Sequence, residues 1–125
     1  MRRFLSSAKY AVSGLAYAVR TQRHMRFHLG AAAAVLTTAA VLGVSRQSWA
    51  LLIGACCIVI AAELTNTAIE RLVDLASPEL HPLAKAAKDT AAAAVLIMAL
   101  GAAVIGLLVL GPPLAERLGW LEFNN

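Results

Sequence analysis

The chain has 125 residues, 60% of them hydrophobic and only 14% charged. That length bounds it to a single domain, 1–125, and the composition leaves too few polar side chains to cover a water-soluble core, so the natural solvent is a bilayer. The formal charge of +4 is concentrated: Arg2, Arg3, Lys9, Arg20, Arg23 and Arg26 lie in residues 1–28 without an acid among them, which on so apolar a chain fits anionic lipid or nucleotide phosphate and not nucleic acid.

Arg2-Arg3-Phe4-Leu5 and Ala16-Tyr17-Ala18 have the look of an export signal and its cleavage site. Lys9, Tyr10 and Ser13 interrupt the continuous apolar region that such a signal needs. Phe4, Leu5, Ala8, Val12, Leu15 and Val19 instead recur every three or four residues. This predicts an amphipathic helix over about 3–22, lying on the membrane surface. A first span is predicted at about 27–44, followed by the polar break Ser45-Arg46-Gln47-Ser48. A second span, about 48–75, begins with the unbroken apolar run from Trp49 to Ala62. Ser77-Pro78 and His81-Pro82 break that helix. The third span is predicted at about 84–110, with Gly111-Pro112-Pro113 as its stop. Trp49, Trp120 and Phe123 read as interface anchors. Cys56 and Cys57 are adjacent, match no metal or redox spacing, and read as small hydrophobic side chains.

The fold expected is therefore an all-α membrane protein, an N-terminal amphipathic surface helix followed by three transmembrane helices. The bias of basic residues puts the N-terminus and the loop between the second and third spans on the cytoplasmic side. Ala91 to Ala94, Gly101, Ala102 and Gly106 would let the third span approach its neighbours closely. Three spans enclose a polar site poorly, which points to an oligomer.

Such a polar site is visible. Five of the seven acids fall between Glu63 and Asp89. At about 100° per residue, Glu63, Asn66, Thr67, Glu70 and Asp74 share one helix face roughly 100° wide. Carboxylates at the edge of a membrane helix are costly unless they face protein, water or a cation.

The pattern Glu63-x-x-Asn66-Thr67-Ala68-Ile69-Glu70-x-x-x-Asp74, then His81-Pro82-Leu83-Ala84-Lys85 and Ala87-Lys88-Asp89, resembles the prokaryotic integral-membrane diacylglycerol kinase and undecaprenol kinase family. The resemblance covers nearly the whole chain. It implies a homotrimer in the bacterial plasma (inner) membrane, with cytoplasmic active sites at subunit contacts, and it implies ATP as co-substrate and Mg2+ as cofactor. Residue by residue, it implies Glu63 as the general base toward the lipid hydroxyl, with Ala92 also beside the lipid. Glu70 and Gln22 would take the metal, and Asn66 and Asp74 would support that cluster. Nucleotide contacts would come from Arg3, Tyr10, Gln22, Glu70, Glu79, Leu80, His81, Lys88 and Asp89. The segment Thr21-Gln22-Arg23-His24 departs from the family, which has a glutamate as second metal ligand where Gln22 stands. The loop from Ser77 to Lys85 is more similar to the undecaprenol branch.

The chemistry agrees with that resemblance. Phosphoryl transfer needs cations around the phosphates and a group that positions the acceptor hydroxyl. Magnesium prefers carboxylate and water oxygens, which the surroundings of Glu70 supply. A diacylglycerol acceptor is the alternative within the same family. Two other classes stay open from the residues alone. A small proton-coupled transporter would also place a glutamate in a span, and a non-enzymatic membrane scaffold would use the anchor helix and small-residue packing.

Overall fold

The structure, a computed structural model, describes residues 2–79 and 81–119. They form α1 (Arg2–Thr21), α2 (Arg23–Leu42), α3 (Arg46–Ala76) and α4 (Pro82–Arg117). The helices α2, α3 and α4 are each long and apolar enough to cross a membrane. At 1.5 Å per residue, α3 is about 46 Å and α4 about 54 Å long, against a hydrocarbon thickness of about 30 Å. Both helices therefore extend beyond the hydrocarbon, which leaves room for polar residues at their ends.

Gln22 alone separates α1 from α2. Its extended backbone (φ −110°, ψ 118°) breaks the helix, while its N–H still donates to Ala18 O at 2.8 Å. The Arg26 guanidinium reaches back to Val19 O (3.2 Å) and Arg20 O (3.4 Å), satisfying carbonyls at the end of α1 that have no helical partner. Ala18 and Met25, both fully buried, lock this joint.

The α2–α3 connection is a three-residue turn. Gly43 sits in the left-handed region (φ 65°), a conformation without steric penalty only for glycine, and its N–H returns to Ala39 O and Ala40 O. The Ser45 hydroxyl then accepts from Ser48 N–H at 3.2 Å and starts α3. Beside this turn, Ala39, Leu52 and Leu110 form the buried core of the helix triad, and Trp49 packs against it. Trp49 is thus half-buried, with one side against the core.

The helix α4 does not stop at Gly111-Pro112-Pro113 but continues to Arg117. Proline holds φ near the helical value, so the chain can continue. The loss is the two hydrogen bonds that Leu108 O and Val109 O would otherwise accept. A tertiary contact holds the last turn in place: Arg117 Nη1 donates to Val41 O, one of the final carbonyls of α2, at 2.8 Å. Trp120 and Phe123 lie outside the described residues.

The principal packing is α3 on α4, with α2 laid against both. Ala91 and Val95 are the buried residues of α4 on the N-terminal half of that helix. At Gly101 and Gly106 a Cβ would meet nothing within 4 Å, so the close approach expected of these glycines does not occur within one chain. Cys56 is half-buried and Cys57 exposed, both as free thiols. Only Cys56 fits the expected core role. Large apolar side chains, among them Ile97, Leu107 and Leu108, project outward from α4. In water such a surface would aggregate; it suits lipid or a second subunit.

Candidate active site

Along α3 the polar face emerges by degrees. Glu63 (4% exposed), Thr67 and Asn66 (8%) are buried, Glu70 is half-buried, and Asp74 is exposed. Glu63 lies two helical turns deeper than Glu70, about 10 Å along the axis, and about 16 Å deeper than Asp74. The Thr67 hydroxyl is satisfied inside the helix by Glu63 O at 2.9 Å. No donor among the described residues reaches the Glu63 carboxylate.

Glu70 is held from two sides. Asn66 Nδ2 donates to its Oε1 at 3.1 Å, and Gln22 Nε2, from the α1–α2 joint, donates to its Oε2 at 3.3 Å. The extended backbone at Gln22 is what lets this side chain turn from the joint onto α3. Asn66 Oδ1 is buried without a partner among the described residues. An orphaned buried acceptor costs on the order of 1–3 kcal/mol, so it marks a point prepared for a donor or a cation.

A second polar cluster joins the C-terminal end of α3 to the N-terminal end of α4. Lys88 Nζ donates to Asp74 Oδ1 at 2.8 Å, and Arg71 Nη1 stands 3.7 Å from Asp74 Oδ2. Asp89 pairs with Lys85 one turn earlier on α4. Lys88 and Asp89, neighbours in sequence, therefore serve different partners. His81 caps α4: its Nδ1 accepts the Leu83 N–H at 3.2 Å, with Pro82 at the first helical position.

The structure brings Gln22, Asn66 and Glu70 into one cluster and Asp74 and Lys88 into another. It does not place Tyr10, 74% exposed on α1, or the exposed Glu79 in hydrogen-bonding contact with either. Ala92 is exposed on α4. The Arg3 side chain and Leu80 lie outside the described residues. Arg71 was not among the residues singled out from sequence. Its position three residues before Asp74 was the available signal.

A cleft of about 650 Å³ runs between α2, α3 and α4. Phe27, Val35, Leu52, Val59, Ala102 and Leu107 are among its largely apolar lining. Val59 is one turn from Glu63 on the same side of α3, so the cleft leads toward the buried carboxylate.

Among the described residues no three His, Cys, Asp or Glu side chains converge as a metal cage. The protein offers one carboxylate, Glu70, with the amides of Gln22 and Asn66 against it. That donor set fits magnesium, which is commonly held by one or two carboxylates together with substrate phosphates and water.

The sequence profile described as "Prokaryotic diacylglycerol kinase" matches residues 9–110. A diacylglycerol kinase of Synechocystis sp. is 44% identical over 111 residues, 88% of this chain and 63% of the relative. An undecaprenol kinase of Bacillus subtilis is also 44% identical, over 117 residues, 91% of this chain and 93% of the relative. A diacylglycerol kinase of Pseudomonas aeruginosa is 37% identical over 94 residues, 75% of this chain and 76% of the relative. The chain thus spans slightly under two thirds of the first of these proteins and nearly all of the second. A profile that covers residues 9–110, and relatives that share the length of three apolar helices, place the chain in the prokaryotic diacylglycerol kinase family.

Proposed function

We propose that this membrane protein is a lipid kinase that transfers the γ-phosphoryl group of ATP to a membrane alcohol, with undecaprenol as the acceptor. The observation that carries this reading is the continuity of one α3 face. It passes from the apolar cleft at Val59 through buried Glu63 to Glu70, and then to the Asp74–Lys88 pair at the polar end. A hydrocarbon chain belongs at one end of such a face and a polyphosphate at the other.

Glu63 is the general base, taking the proton of the lipid hydroxyl as that oxygen attacks the γ-phosphorus and ADP leaves. Its burial keeps bulk water, a competing acceptor, away from the reacting phosphorus. Gln22 and Asn66 hold the Glu70 carboxylate, and Lys88, held by Asp74, presents its ammonium group to phosphate. Glu70, with the amide oxygens of Gln22 and Asn66, would hold magnesium together with the nucleotide, and the ion would offset phosphate charge. Tyr10, Glu79, His81 and Asp89 remain nucleotide contacts of this proposal, with Arg3 and Leu80, and Ala92 stays beside the lipid. The assembly is a homotrimer with the site facing the cytoplasm, where ATP is. The exposed apolar flank of α4 and the unfilled space at Gly101 and Gly106 support docking of another subunit.

Identity of 44% to relatives of both names leaves the acceptor to the loop from Ser77 to Lys85, which favours undecaprenol. Diacylglycerol is the second reading, supported by the names of the other relatives. Purified protein in lipid nanodiscs, given radiolabelled ATP and either alcohol, decides between them. Label in undecaprenol alone supports the first reading, and label in neither lipid overturns both.

A further inference from the structure

We propose that Arg71 is a further phosphate-contacting residue, whose guanidinium moves from Asp74 to the polyphosphate of the bound nucleotide; this rests on the kinase reading above. Three observations carry it. Asp74 is approached by two cations, and the shorter contact is already taken: Lys88 Nζ lies 2.8 Å from Oδ1, whereas Arg71 Nη1 is 3.7 Å from Oδ2, too long for a hydrogen bond. No hydrogen bond from the Arg71 side chain to any described residue is formed, so its five N–H donors are held near one anion without being used. Finally, Arg71 directly follows Glu70 on α3, and Asp74 and Lys88 lie one turn further on. The guanidinium therefore stands at the Asp74–Lys88 cluster, on the turn of α3 that begins at Glu70.

A loose, half-exposed ion pair contributes little to folding, so little is lost when the guanidinium leaves it. A phosphate group offers a stronger match, because its oxygens accept two parallel N–H bonds from the planar fork. Asp74 then keeps Lys88 while Arg71 turns outward. The same chemistry would also hold the phosphate of an anionic lipid headgroup. Proximity to Glu70 and Lys88, not to the outward apolar surface, favours the nucleotide.

The experiment uses the full chain in nanodiscs of zwitterionic lipid and, separately, of lipid containing an anionic phospholipid. Wild type, Arg71→Lys and Arg71→Gln are titrated with a fluorescent ATP analogue plus magnesium, with AMP as competitor, and turnover is measured in parallel. Arg71→Gln should weaken binding of the triphosphate by about tenfold or more. Affinity for AMP and the KM for the lipid alcohol should change little, and Arg71→Lys should recover part of the loss. The unfolding midpoint should stay near that of wild type, which separates phosphate contact from a structural role. Equal triphosphate affinity in all three proteins overturns the inference. So does a defect that appears only as altered dependence on anionic lipid, which would assign Arg71 to the headgroups. Failure of wild type to phosphorylate any lipid, with nucleotide binding intact and dependent on Arg71, would overturn the kinase reading and leave Arg71 as a phosphate contact.

Discussion

Gln22 and Glu70 stand 48 residues apart in the chain, yet the Gln22 amide donates to the Glu70 carboxylate at 3.3 Å. The single non-helical residue between α1 and α2 is thus fastened to the middle of the polar face of α3. The contact sets a neutral amide, not a second carboxylate, against Glu70.

Gln22→Glu should therefore act in two opposed ways. Without a divalent cation, two carboxylates at that separation repel by up to several kcal/mol at an effective dielectric of about 20, so the unfolding midpoint should fall. With magnesium the same pair is a better cation site, and half-maximal activity should need less of the ion. Thermal unfolding with and without magnesium, together with a magnesium titration at saturating ATP, checks both arms. A magnesium midpoint equal to that of wild type would remove Gln22 from the metal site.

Glu63→Gln keeps the shape of the buried side chain and removes its ability to accept the hydroxyl proton. Turnover should fall by about 10²-fold or more while nucleotide affinity is retained. Near-normal turnover of this variant would exclude Glu63 as the base.

Asp74 and Lys88 meet within one chain, at 2.8 Å. Mixed assemblies of Asp74→Asn and Lys88→Ala subunits should therefore regain no activity, since every chain lacks one half of its own pair. Recovery in mixed assemblies would mean that each functional pair is built from two chains.

Arg117→Ala should fray the last turn of α4 without touching the site. It removes the bond to Val41 O, and with Pro112 and Pro113 just upstream the turn keeps only its own backbone bonds, such as Leu118 N–H to Leu114 O at 3.0 Å. Amides of residues 114–118 should exchange faster, with a stability loss of about 1 kcal/mol and unchanged nucleotide affinity. Slow exchange in that turn would show that the helix sustains itself beyond the prolines.

Much of the candidate site was legible in the sequence, because one helix supplies most of it. Glu63, Asn66, Glu70 and Asp74 share a face through the 3.6-residue period alone, and an apolar run leading into them announces a membrane boundary. Ser77-Pro78 and His81-Pro82 located the break after α3, since proline restricts itself and the residue before it. By the same logic Gly111-Pro112-Pro113 should have ended α4, but the rule gave way to a contact that no local pattern contains, between Arg117 and a carbonyl of α2.

The division follows from range. Composition pointed to the solvent, the apolar and polar periods set which residues share a face, and the order of acids marked the candidate site. All of these are properties of neighbours along one helix. Only the tertiary structure decided that Gln22 turns onto Glu70 and that Lys88 reaches Asp74, which leaves Arg71 beside an already occupied carboxylate. Which of the distant groups meet depends on how α1, α3 and α4 pack, whereas Arg71–Asp74 and Lys85–Asp89 are one-turn pairs within single helices.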